Sequence, residues 1–248
     1  DTAKVNPVVS VGGGTYGHYK VQAGVSGKVG KAWYNLNASH EQAEGFDSCD
    51  GSLSYGCFTN EADRDGYENH AASFRLGYQL TDWLTIEGHT LYSGGATEFD
   101  GGFQNESDYT QLVYGGQANI QATDFWTINL NAGASQDEST NYLNGAKKGV
   151  FDTQRVSFSA LNNFTLAPMH IVSLGYDFLD DSIDSTNNYA ETSRNNHAVF
   201  IQYQGEFMQN QVQLAYRSDH NEQFGQNSTW NAAWGYAFEN GILVSASY

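Results

Sequence analysis

The stretch Trp126-Thr127-Ile128-Asn129-Leu130-Asn131-Ala132-Gly133-Ala134 puts an apolar residue at every second position and a polar residue or Gly between. Successive side chains of a strand point to opposite faces, so this segment reads as a strand with one oily and one wet side. The pattern returns in segment after segment. A soluble sandwich could bury the oily face of one such strand in a dry core. About a dozen, each roughly 9–11 residues or longer and edged by aromatics, fit an antiparallel transmembrane β-barrel better.

The alternation predicts strands at Asn6–Thr15, Tyr19–Val29, Ala32–Glu41, Tyr67–Leu80, Trp83–Ser93, Tyr109–Ala122 and Trp126–Ser135. It continues at Phe151–Leu166, His170–Leu179, His197–Phe207, Gln211–Ser218, Thr229–Phe238 and Ile242–Tyr248. The outward face would carry Phe74, Leu76, Tyr78 and Leu80; Tyr114, Ala118 and Ile120; Val172, Leu174, Tyr176 and Phe178. It would go on with Val199, Ile201, Tyr203 and Phe207, then Trp230, Ala232, Trp234, Tyr236 and Phe238. Asn129, Asn131, Ser157, Ser159, Asn163, Gln202, Gln204, Gln213 and Arg217 fall on the opposite face.

Connection lengths separate barrel from sandwich. Short turns are expected at Thr81-Asp82, Thr123–Phe125, Ala167–Met169, Met208–Asn210 and Glu239–Gly241. Between them lie the longer polar stretches Gly45–Gly66, Gly94–Asp108, Gln136–Val150, Asp180–Asn196 and Asp219–Ser228. Tight turns on one side and long loops on the other are the periplasmic and extracellular ends of a bacterial outer-membrane barrel. Trp83, Phe125, Trp126 and Phe207 beside the short turns suit an interfacial girdle. The strand count near thirteen is odd, whereas closed bacterial barrels are even. The expectation is therefore a single β-barrel domain, or a fragment of one, over 1–248, belonging to a larger barrel.

Composition agrees. The 248 residues hold 40% hydrophobic residues, 27 Gly and only 2 Pro, with no long apolar run for a membrane helix. The net charge of -17 leaves nothing to neutralise phosphates, which argues against nucleic acid. Carboxylates gather between strands, at Glu61–Asp65, Glu98–Asp108 and Asp177–Asp184. They read either as solvated acidic loops or as cation binding. Cys49 and Cys57, close together in a Gly/Ser-rich stretch, suit a loop disulfide in an oxidising compartment.

Ser10-Val11-Gly12-Gly13-Gly14-Thr15-Tyr16-Gly17 resembles the first barrel strands of TonB-dependent outer-membrane receptors. Asp63-Arg64-Asp65-Gly66, Thr97-Glu98-Phe99-Asp100, Arg217-Ser218-Asp219-His220-Asn221-Glu222-Gln223-Phe224-Gly225 and Ala232-Ala233-Trp234-Gly235-Tyr236 resemble, in this order, the vitamin B12 (cobalamin) receptors of that group. The likeness covers essentially the whole chain and about the first half of the receptor's barrel, with the plug domain ahead of it and the C-terminal strands beyond it. It implies a Gram-negative outer-membrane location, cobalamin as transported ligand and a 22-stranded barrel around a plug. TonB would act through that plug. It also implies calcium in the extracellular loops, held by Asp47, Asp63, Asp65, Asp100 with the Phe99 carbonyl, and Asp108.

The residues alone say less about calcium. Asp63, Asp65 and Gly66 resemble the start of an EF-hand, but the place for its bidentate Glu falls on Ala72 and the flanks read as strands. A barrel protease would need the Asp63/Asp65 and Asp219/His220 pairs to converge, yet adjacent strand residues point apart. No nucleophile elbow or zinc motif accompanies them. A passive pore remains open, since an Asn/Gln/Ser-rich inner face suits a wet lumen as well as a plug. A part-barrel would rest in lipid only with its edges paired, by the missing half or by self-association.

Overall fold

The computed structural model describes residues 4–49, 59 and 61–248. Among the described residues, thirteen strands form one sheet in which each pairs with its neighbour in sequence. They are β1 (Lys4–Gly13), β2 (Tyr19–Val29), β3 (Ala32–Phe46), β4 (Asp65–Gln79), β5 (Leu84–Glu98), β6 (Glu106–Thr123) and β7 (Trp126–Leu143). β8 (Ala146–Ala167), β9 (His170–Ser185), β10 (Ser193–Phe207), β11 (Asn210–Asn221), β12 (Gly225–Ala237) and β13 (Leu243–Ser247) complete the order. β1 and β13 are its two edges.

The pairing register turns the alternation into two continuous surfaces. Ile128, Leu130 and Ala132 face Ile120, Ala118 and Gly116 across one seam and Asn162, Ala160 and Phe158 across the other. The same face carries Phe74, Leu76 and Tyr78 in β4, Val172 to Phe178 in β9, Val199 to Tyr203 in β10 and Trp230 to Tyr236 in β12. Asn129, Asn131, Ser157, Ser159, Gln202, Gln213 and Arg217 share the other side, as the sequence predicts. Asn162 is an exception on the oily face, and its Oδ1 accepts the Trp126 indole N–H at 3.1 Å.

Among the described residues no second layer covers the oily face. Among the described residues, Cys49, Ala134 and Ala198 are the only buried hydrophobics, while Val9 is 75% and Trp230 59% exposed. A soluble sandwich would have closed over such residues. The open apolar band, with Trp and Tyr polar atoms hydrogen-bonded at its margins, is the surface of a transmembrane β-barrel. Charge is kept off it: Arg217 pairs with Asp177 and Asp219, and Arg155 with Asp181, all on the wet side.

The expected long loops are shorter than the sequence predicts. The predicted long loop Gln136–Val150 is instead the tip of a hairpin, with β7 running to Leu143 and β8 starting at Ala146. Asn144 and Gly145 turn it, both at positive φ (53° and 74°), the two-residue geometry that Asn-Gly favours. Asp219–Ser228 is likewise mostly strand, turned by Glu222–Phe224 with Asn221 Oδ1 accepting the Gln223 and Phe224 N–H groups at 3.0 and 3.1 Å. Alternation fades where strands leave the bilayer, because both faces then meet water. The 22 residues of β8 run roughly 70 Å at about 3.3 Å each, well beyond a bilayer's needs.

Candidate metal centre

The site begins with one backbone position. β3 and β4 pair residue for residue from Ala32/Tyr78 to Ala43/Tyr67, and then an extra β3 residue sets Phe46 opposite Asp65. Gly45 absorbs that bulge at φ 74°, where L side chains are disfavoured. It passes so close to β4 that a Cβ there would lie 1.9 Å from the Asp65 carbonyl oxygen. The chain therefore leaves the sheet with Ser48 against Asp65. The Ser48 N–H donates to Asp65 Oδ2 at 2.8 Å, and its hydroxyl to Asp100 Oδ2 at 3.3 Å.

Asp100 comes from the connection between β5 and β6, which Asn105 fixes. The Phe99 N–H donates to the Asn105 carbonyl at 2.9 Å. The buried Asn105 amide donates to Glu61 at 3.0 Å and to Asn144 Oδ1 at 3.1 Å, and its own oxygen accepts the Asn144 N–H at 2.9 Å. Glu61 also accepts the Gly101 N–H at 3.4 Å. Three connections are thus tied together at the end of the barrel opposite the short turns.

There Asp63, Asp65 and Asp100 each offer a carboxylate oxygen within 4.8 Å of the others. Oxygens across a Ca²⁺ at ~2.3–2.6 Å lie about 5 Å apart, so the spacing suits that ion. Asp100 Oδ1 is buried with no hydrogen-bond partner among the described residues. Burial, then the Asp65 charge, raises the Asp100 pKa above its ordinary value; Ser48 opposes this, and Asp47 and Asp63 add to it. A carboxylate with one oxygen buried and without a donor among the described residues, repelled by its neighbours, is what a hard cation would relieve. The donor set is all oxygen, without thiolate or imidazole, which suits calcium rather than zinc.

The other expected residues divide. Asp47 lies close enough to act on Asp100, and its Oδ1 accepts the Cys49 N–H at 3.2 Å. Phe99 directly precedes Asp100 in the same loop. Asp108 stands apart, on β6 opposite Ala96 and Thr140, and hydrogen-bonds the Tyr142 hydroxyl, whose pKa it raises. Cys49 is buried, with Sγ 3.1 Å from the Thr59 carbonyl; Cys57, its expected disulfide partner, lies outside the described residues. Glu61 entered the sequence reading only within the acidic stretch Glu61–Asp65, while Ser48 and Asn105 escaped it; only Ser48's place after Asp47 could have suggested either.

The Asp219/His220 pair does not converge. Asp219 is on the wet face, bonded to Arg217 and Asn196, while His220 faces His197 on the oily side.

The chain is 26% identical over 249 aligned residues to a vitamin B12 transporter, BtuB, of Photobacterium profundum, covering 96% of this chain and 39% of that protein. A BtuB of Vibrio vulnificus is 27% identical, covering 75% and 32%. The chain is similar to the BtuB vitamin B12 transporters. It spans less than half the length of these relatives. No family model matches it. In structure it matches the siderophore receptor PirA from Acinetobacter baumannii with a TM-score of 0.76 at 14% identity, covering 99% of this chain and 42% of that one. At that identity the match speaks for fold alone, part of a large antiparallel β-barrel. Such barrels, with the BtuB similarity, place the chain in the outer membrane of a Gram-negative bacterium.

Proposed function

We propose that this chain is the N-terminal portion of the barrel of a cobalamin receptor whose surface loops are ordered by calcium. The observation that carries the reading is Asp100 Oδ1, buried beside Asp63 and Asp65 without a hydrogen-bond partner among the described residues. Those three aspartates hold the ion, Asp47 and the Phe99 carbonyl complete the set, and Asp108, held by Tyr142, lies outside it. Bound calcium neutralises the carboxylates and stiffens the connections that would grip the corrin. The wet face, with its Asn, Gln and Arg–Asp pairs, meets a plug that TonB moves in the intact receptor. No covalent chemistry is involved. The β1 and β13 edges require partner strands in lipid, because unpaired backbone groups are costly there. The rest of the barrel supplies them, or failing that a second copy.

Calorimetric titration of the folded protein with calcium and then cyanocobalamin tests this. Calcium should bind first and strengthen cobalamin binding. Heat from neither, with the loops ordered, would remove the receptor reading; saturable cobalamin binding that ignores calcium would remove only the metal.

A further inference from the structure

A second cluster of ligating groups lies on the oily face, apart from the aspartates. His40 of β3 and His70 of β4 are register partners. Their Nδ1 atoms are 3.0 Å apart and their rings 4.6 Å apart. Tyr19 gives its hydroxyl proton to Gln42 at 3.0 Å, and its oxygen lies 2.8 Å from His40 Nε2. His70 Nε2 lies 2.7 Å from a Glu68 carboxylate oxygen. With Glu68 the two histidines offer ligating atoms that all lie within 4.8 Å of one another. In place of a proton shared between the rings, a Lewis acid between the Nδ1 atoms would take a lone pair from each. Ligand nitrogens of a tetrahedral ion with bonds of ~2.0–2.1 Å lie about 3.3 Å apart, close to the separation seen.

We propose that His40 and His70 bind a first-row divalent transition metal of the zinc class at the outer rim of the lipid-facing surface. Glu68 is a positioning residue: it holds His70 by the carboxylate–histidine contact that orients metal-bound imidazoles. Tyr19 does the same for His40. Position favours access. Toward the short turns the same face is oily, with Ala38/Ala72 and Leu36/Phe74, and beyond the histidines it turns polar at Gln42/Glu68. The His70 side chain is 57% exposed. Waters fill the remaining positions on the ion. Nitrogen donors select against calcium, so the two sites take different ions.

The test uses the full chain folded in detergent and saturated with calcium, with Zn²⁺ followed by calorimetry and Cu²⁺ by electron paramagnetic resonance. One Zn²⁺ per chain and a Cu²⁺ signal split by two nitrogens are expected. His40→Ala or His70→Ala should each weaken Zn²⁺ at least 100-fold. Glu68→Gln should weaken it about tenfold or more while keeping the two-nitrogen splitting. Should an alanine variant fail to fold, Tyr19→Phe and Glu68→Gln decide, since both keep the ligands and both should lower affinity. Zn²⁺ binding indifferent to these changes, or no binding with a proton bridging the two Nδ1 atoms, overturns the proposal.

Discussion

An alanine at position 45 would place its Cβ 1.9 Å from the Asp65 carbonyl and hold φ at 74°. The left-handed conformation alone costs about 1–2 kcal/mol for an L residue, and the overlap forces the bulge to open. Gly45→Ala should therefore lower calcium affinity more than tenfold and expose the Ser48 amide to exchange, with strand signals in circular dichroism unchanged. Uniform loss of the sheet would show that the bulge is not local. Asp100 supplies a second expectation. In the fold its carboxyl keeps its proton above the ordinary 3.8. Between 3.8 and that raised value the calcium-free fold binds more protons than the unfolded chain, so its stability falls as pH rises through the window. Calcium must displace the same proton, so its affinity falls as pH drops through the raised value. Asp100→Asn should stabilise the calcium-free protein at pH 7, flatten both pH dependences and abolish calcium binding. Urea unfolding and calorimetry across acid pH would register each change, and a calcium-free variant no more stable than the parent would contradict the account.

The hairpin of β7 and β8 shows which information the sequence carries openly. Where strands cross lipid, only one face is oily, so Trp126 to Ala134 declares its conformation, its face and its neighbours' faces together. Beyond the bilayer the constraint lapses. Gln136 to Leu143 is as much strand as Trp126 to Ala134, but no face is oily and period two disappears. The turn was nonetheless written locally in Asn144-Gly145. The candidate site was legible by halves in the same way. The aspartates could be named from their resemblance to family motifs, whereas their convergence depends on the bulge at Gly45 and on the Asn105 amide, which are tertiary facts. Asn105 also makes the turn matter to the site, because it bonds both Asn144 and Glu61. Gly145→Ala, at φ 74°, should cost about 1–2 kcal/mol in the outer part of this hairpin. Exchange at Ser139–Lys147 amides would rise while Trp126–Ala134 stays protected; equal loss in both would mean the hairpin opens as one unit.

Across the molecule the structure is one sheet with two solvents. Among the described residues its oily side has no protein to bury against, and its wet side carries the Arg–Asp pairs, so the bilayer itself supplies the partner layer. Neighbouring residues of one strand should then respond in opposite ways to the same charge. Leu130 and Asn131 are adjacent in β7, the first on the oily face near mid-band and the second on the wet one. An arginine facing lipid at the bilayer midplane costs about 2–4 kcal/mol, falling to roughly 0–1 near the interface. Leu130→Arg should lose that larger amount in denaturant titrations of the protein folded in lipid vesicles. Trp126→Arg, beside the short turn, should lose less of its stability to charge, and Asn131→Arg little, since its guanidinium enters the polar interior. A soluble sandwich predicts no dependence on depth, because its core is dry from end to end. Equal penalties at 126 and 130, or a penalty at 131 as large as at 130, would mean that the face carrying Leu130 does not meet lipid, and the barrel, its location and the receptor reading would fall with it.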